Sequence, residues 1–159
     1  MRDSLPESAR RFRLDWVLVE DLAVGPAPRA ERHLDRLEAA GLKAVLSLCG
    51  SDEAALADGL SDRFRHQRFV LPDHRVGRLP ELAELEGALA ALADLSQQGP
   101  VYVHCVAAME RSPLVCLGWL VSRHRQSPER ALAYLMQVHP GTNPLPGQLA
   151  LLAELQPGI

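Results

Sequence analysis

The segment Val101-Tyr102-Val103-His104-Cys105-Val106-Ala107-Ala108-Met109-Glu110-Arg111-Ser112-Pro113 decides the fold. Its first three residues are β-branched or aromatic and follow a Gly99-Pro100 breaker, the pattern of a short buried strand. Ser112 and Pro113 supply an N-cap and a first-turn proline for a following helix. Val106, Ala107, Ala108, Met109 and Glu110 therefore form a loop between a strand end and a helix N-terminus. Such a loop turns successive backbone N–H groups inward, and with the positive end of the helix dipole it makes a concavity suited to a tetrahedral dianion such as phosphate. The same surroundings favour a thiolate at Cys105 and so a nucleophile. Arg111 offers a planar fork for two phosphoryl oxygens, and Ser112 can donate a hydrogen bond to the sulfur when it leaves.

Outward from this segment, the chain alternates strands and helices. Trp16-Val17-Leu18-Val19 and Leu22-Ala23-Val24 read as a hairpin turning at Glu20-Asp21. A helix is expected over Ala30 to Ala40, stopping at Gly41, and Ala44 to Leu48 is a continuous apolar strand ending at Cys49-Gly50. A short helix is expected from Ser51 to Leu60, a strand from Phe64 to Leu71, and a loop over 72–78. Further helices are expected over Pro80 to Gln98, Pro113 to Arg125, Ser127 to Val138 (closed by His139-Pro140-Gly141), and Pro146 or Gly147 to Leu155. This order predicts an α/β fold: a single domain with a mostly parallel central sheet of about five strands and helices on both faces. In such sheets the active site lies at the carboxyl ends of the strands, where Cys105 falls. Residues 1–12 read as a polar N-terminal segment ahead of a catalytic domain over 13–159.

Composition narrows the function classes. The chain has 159 residues, 17 Lys+Arg against 20 Asp+Glu and a net charge of −3, which gives no overall attraction to nucleic acid or an anionic membrane. Three cysteines (Cys49, Cys105, Cys116) lack metal-like spacing and the six histidines form no H-x3-H pair, so no metal, cofactor or disulfide framework is expected. The polar start and the lack of an 18-residue apolar run give the expectation of a soluble, cytoplasmic protein without membrane insertion. The sequence leaves the oligomeric state open.

The H-C-x5-R-S pattern of His104 to Ser112 resembles the signature of the cysteine-dependent protein tyrosine and dual-specificity phosphatases. The opening W-V-L-V-E-D-L-A-V-G and the strand A-V-L-S-L are similar to that family's amino-terminal hairpin and third strand, so the resemblance covers most of the chain. It implies a phosphomonoester hydrolase working through a cysteinyl-phosphate on a phosphorylated protein or small phosphoester. Asp73, in a Pro-Asp-His loop after a strand, resembles the family's general acid, with Asp52 the weaker alternative and Asp94 facing solvent on its helix. Asn143 and Gln148, within N-P-L-P-G-Q, are similar to the late loop that braces the phosphate loop or places water, and His104 has a structural place behind Cys105.

Two positions depart from the family pattern. Ala108 stands where the family nearly always has glycine, and Glu110 places an acid beside the arginine, as in some inositide-lipid members. They motivate two alternatives, an inactive phosphate-binding module and a phosphoinositide phosphatase; a sulfur-transfer or arsenate-reducing enzyme is a third, which explains neither Asp73 nor Ser112. The five arginines Arg63, Arg65, Arg68, Arg75 and Arg78 give a basic stretch that serves either substrate steering or a solvated edge. Cys49, at the end of a parallel strand, shares a sheet edge with Cys105, which raises the hypothesis of a reversible disulfide between them.

Overall fold

A computed structural model describes residues 12–155, so the polar segment placed at 1–12 lies outside the described residues except for Phe12. Five strands form one sheet in the order β1-β2-β5-β3-β4, with β1 Asp15–Leu18, β2 Leu22–Gly25, β3 Ala44–Ser47, β4 Arg65–Arg68 and β5 Val101–His104. The β1–β2 hairpin is antiparallel; β2, β5, β3 and β4 run parallel. β5 is central because both of its faces are apolar: Val101, Tyr102, Val103 and His104 are all buried, as a doubly covered strand requires. The edge strand β4, Arg-His-Gln-Arg, is only half-buried. That polarity suits an edge.

The side-chain alternation of the strands sorts the core into two layers. Val17, Leu22, Val24, Leu46, Val101 and Val103 face a cluster completed by helices α3 (Leu82–Leu95), α4 (Arg111–His124), α5 (Pro128–Val138) and α6 (Pro146–Leu152). Ala23, Val45 and Tyr102 face the other way, toward α1 (Glu31–Ala39) and the one-turn α2 (Leu60–Arg63). Leu85, Leu92 and Leu95 present one stripe of α3, and burial of such a side chain stabilises by roughly 1.5–3 kcal/mol each. Among the described residues no helix is long and apolar enough to cross a membrane.

The structure corrects the expectations in three places. The helix expected from Ser51 to Leu60 is absent: Gly50 to Glu53 form a turn, and only Leu60–Arg63 is helical, after Gly59 in the left-handed conformation. The turn is closed by Glu53 N–H donating to the Gly50 carbonyl at 3.0 Å, and Gly50 N–H donates back to the Glu53 carboxylate at 2.9 Å. α4 starts at Arg111 with Glu110 in the cap position, so Ser112 is inside the first turn rather than capping it. α6 ends at Leu152, although Leu155 is still buried against the core. The other cap signals act as read: Ser127 Oγ accepts from Arg130 N–H at 3.2 Å ahead of Pro128, and Gly41, at φ 90°, stops α1.

Candidate active site

Cys105 sits one residue past the end of β5, and the five residues after it bend back to deliver Arg111 as the first residue of α4. The loop is anchored by its carbonyls. Cys105 O accepts from His104 Nδ1, Val106 O from Ala27 N–H, Ala108 O from His139 Nε2 and Met109 O from Asn143 N–H, at 2.6–3.1 Å. With the carbonyls directed outward, the amides of 106–110 donate to no protein acceptor among the described residues. Backbone N–H groups left unpaired in a concavity at a helix N-terminus are an anion cradle. Ala108 has φ 63°, a left-handed conformation that costs an L-residue roughly 1–2 kcal/mol, so the loop takes the cradle shape in spite of the missing glycine.

Cys105 Sγ lies 3.2 Å from Ser112 Oγ, and both residues are buried. This contact explains why Ser112 is not the helix cap. Behind the loop, hydrogen bonds run inward from the surface: Ser61 Oγ to His66 Nδ1 at 3.3 Å, His66 Nε2 to Ser47 Oγ at 2.8 Å, Ser47 Oγ to His104 Nε2 at 2.6 Å. The Cys105 carbonyl accepts from His104 Nδ1–H, so His104 Nε2 takes the Ser47 hydroxyl proton and the ring is neutral. Burial agrees, pushing the His104 pKa down to about 4.

Arg111 is almost fully buried and locked by partners from two other elements. Its Nη2 and Nη1 meet Glu53 Oε1 and Oε2 at 2.8 and 3.2 Å, while Nη1 also donates to the carbonyls of Leu71 and Leu48 at 3.0 and 3.3 Å. The Arg111 hydrogen bonds hold the Glu53 carboxyl below the ordinary carboxylate range, against the opposing effect of burial. Glu53 was not singled out in the sequence, where the loop after Cys49 drew attention only to Asp52. Asp52 instead borders a neighbouring cavity that does not include Cys105.

Asp73 and Cys105 line one cavity of about 330 Å³ that also includes His74, Arg75, Arg111 and Asn143. Burial alone raises the Asp73 pKa. Hydrogen bonds from the Arg75 backbone and from its Nε, at 3.0 and 2.8 Å, outweigh that together with the Arg111 charge at 3.7 Å, so the carboxyl is held below its usual range. The resting side chain is a carboxylate. Glu110, at the rim, has both oxygens engaged, by His74 Nδ1 at 2.9 Å and Gln148 Nε2 at 2.6 Å, which removes the objection to an acid beside the cradle. Gln148 Oε1 accepts from Leu145 N–H at 2.8 Å and Asn143 holds the loop through its backbone, so both late-loop residues brace the cradle.

The arginines of the basic stretch have partners in the structure. Arg63 pairs with Asp35 and Glu38, Arg65 with Asp94, Arg75 with Asp73 and Glu53, and Arg78 with Glu84, while Arg68 donates to the Cys49 carbonyl. Cys49 and Cys116 are buried free thiols whose pKa values burial pushes up.

No family model matches the chain. An 82-residue stretch, 51% of this chain, is 34% identical to "Phosphatidylglycerophosphatase and protein-tyrosine phosphatase 1" of Homo sapiens and to its Rattus norvegicus counterpart, spanning only 41% and 42% of those proteins. The fold is similar to the crystal structure of PTPMT1 in complex with PI(5)P, with TM-score 0.77 and 21% identity over 89% of this chain and 92% of that one. It is also similar to a mutant form of Tk-PTP, with TM-score 0.74 and 25% identity over 90% and 93% of the two chains. A third similar structure is a human tyrosine phosphatase-like serine/threonine/tyrosine-interacting protein, with TM-score 0.77 and 20% identity over 91% and 95%. The chain thus has the fold of the protein tyrosine and dual-specificity phosphatases, with cysteine, arginine and serine brought together on one cradle.

Proposed function

We propose that this chain hydrolyses phosphate monoesters through a cysteinyl-phosphate. The observation that carries the reading is the set of unpaired amides at 106–110 around a thiol, with the Arg111 guanidinium fixed at their edge. Cys105 Sγ attacks phosphorus in line, the S–P bond forms and the ester P–O bond breaks, while the loop amides and Arg111 stabilise the equatorial oxygens. Asp73 protonates the leaving oxygen. Its resting carboxylate takes up that proton when a dianion arrives, since a negative neighbour raises a carboxyl pKa. In the second step Asp73 accepts a proton from a water whose oxygen attacks phosphorus, the new P–O bond forms as the S–P bond breaks, and Ser112 donates to the departing thiolate.

The cavity above Cys105 is small and holds no long substrate loop, which supports acceptance of several phosphoesters over phosphotyrosine alone. A lipid phosphate is the second reading. It is supported by the names of the relatives and by a groove beside the phosphate loop walled by Phe12, Pro26, Ala27, Met109 and Pro140. Ala108 adopts the conformation the cradle needs, which supports oxyanion binding, and turnover separates an enzyme from a phosphate-binding module. Three free cysteines fit the expected reducing, cytoplasmic setting.

Turnover on an aryl phosphate, phosphotyrosine and phosphoserine peptides and a phosphoinositide, with chelator present, tests the proposal and ranks the substrates. Cys105→Ser should abolish hydrolysis of all of them yet retain oxyanion binding. Undiminished hydrolysis by Cys105→Ser would overturn the covalent mechanism.

A further inference from the structure

Two buried histidines grip the phosphate loop, and their partners differ in one respect. His104 bonds a carbonyl and a hydroxyl, and a hydroxyl can donate, so its ring is satisfied with a single proton. His139 bonds the Ala108 carbonyl through Nε2 at 2.6 Å and the Asp15 carboxyl through Nδ1 at 2.6 Å. A carbonyl only accepts, so Nε2 carries a proton. Asp15 also accepts from Arg13 Nε at 2.8 Å through its other oxygen, the pattern of an ionised carboxylate, so Nδ1 carries a proton too. Asp15 and His139 are both buried, where a charge without its opposite is costly. Across the groove lie the charged Arg29 and the titratable His33, whose Nδ1 accepts from the Arg29 and Ala30 N–H groups and so is bare. The His139 backbone is itself tied, its carbonyl accepting from Thr142 Oγ1 at 2.7 Å and Thr142 N–H at 3.1 Å.

The carbonyl that His139 holds belongs to the one loop residue in the left-handed region, Ala108 at φ 63°. An alanine in that conformation is unfavourable unless its surroundings overdetermine it. We propose that His139, kept as an imidazolium by Asp15, is a positioning residue that holds the phosphate loop in its anion-binding shape by donating to the Ala108 carbonyl. It lies outside the cavity that holds the Cys105 thiol. Its work is to turn the Ala108 peptide so that the carbonyl faces out and the following amide faces the anion. The inference rests on the reading of the loop as an oxyanion cradle, and it makes Asp15, on the first strand, part of a site otherwise built from β5, α4 and the loops after β3 and β4.

Nitrogen-15 spectra of histidine-labelled protein at neutral pH test the charge. Both ring nitrogens of His139 should be protonated, while His104 shows one protonated and one bare nitrogen. A bare nitrogen on His139 would overturn the proposal. Tungstate affinity, measured by calorimetry on wild type, His139→Gln, Ala108→Gly and the double variant, tests the coupling. His139→Gln should weaken tungstate binding by about ten- to a hundred-fold, as expected for a lost charge-assisted hydrogen bond. Ala108→Gly, which enters the left-handed region without strain, should restore most of that loss. An equal loss from His139→Gln in both backgrounds would show that the histidine acts on something other than the Ala108 conformation and would sink the proposal. If His139→Gln alone fails to fold, the double variant compared with Ala108→Gly and the wild-type spectra still decide. A wild-type protein that binds no tungstate counts against the cradle reading itself, and the ring spectra then judge His139 separately.

Discussion

The phosphate loop and the Asp73 loop face each other across one cavity, but they are held by different means. The phosphate loop is tied through its backbone, its carbonyls taken up by His104, Ala27, His139 and Asn143. The Asp73 loop is a short turn over His74–Val76 held by side-chain ion pairs: Arg75 to Asp73 and Glu53, and His74 to Glu110. Hydrogen bonds to backbone carbonyls set a geometry, whereas pairs involving the exposed Arg75 and His74 set a charge and yield to an arriving anion. A preformed cradle facing an adjustable acid is a sensible division for a reaction in which the anion stays put while a proton moves twice.

The sharpest way to break that contrast is Asp73→Asn, which keeps shape and removes the proton. Formation of the phosphoryl-enzyme from phosphoserine or phosphotyrosine should slow by about 10² to 10⁴, while an activated aryl ester, whose anion leaves unaided, should slow far less. Single-turnover measurement isolates this step. Equal slowing for every leaving group would reassign Asp73 to turn structure.

Glu53→Gln strikes the seam between the two loops, since Glu53 binds both Arg111 and Arg75. The fold should lose on the order of 2 kcal/mol, the worth of a charged hydrogen bond given up, and tungstate should bind roughly tenfold more weakly as Arg111 loses its fixed orientation. Denaturant unfolding and calorimetry read the two effects. Unchanged affinity would mean that the Leu48 and Leu71 carbonyls orient Arg111 by themselves.

The smallest expected effect is that of Arg75→Ala, which sharpens the view of the Asp73 loop as electrostatic. Arg75 depresses the Asp73 pKa, so its removal raises that pKa, and the basic limb of the pH–rate profile moves to higher pH with the maximal rate little changed. The sign for stability follows the same linkage. A depressed carboxyl stabilises the fold above its unfolded pKa and loses that contribution as pH falls through the folded value, so the variant should lack part of the acid-sensitive stability of the wild type. A basic limb that stays in place would detach Asp73 from Arg75.

What the sequence revealed follows how local each feature is. Cys105, Arg111 and Ser112 lie on one strand–loop–helix unit, so spacing alone brought them together. Asp73 was legible because it ends a loop after a strand. Glu53 was not: it meets Arg111 across 58 positions, from a turn whose residues read as a helix, and in that turn Gly50 N–H donates back to the Glu53 carboxylate. His139 read as a helix terminator beside Pro140 and Gly141, and that local explanation hid its bond to Ala108, 31 positions away. The arginines of 63–78 read as one patch because charge is visible in a sequence while the acids that neutralise it, on α1 and α3, are remote.

The way Arg111 is bonded bears on which anions it can take. Nη1 serves Glu53, Leu71 and Leu48, and one Nη2 hydrogen goes to Glu53, so Nε–H and the second Nη2–H form the edge that remains. Two parallel donors in one plane match an ion that presents two oxygens side by side. A spherical halide draws both donors onto one atom through bent hydrogen bonds and offers nothing more to the loop amides, so chloride should compete more weakly for the cradle than an oxyanion does.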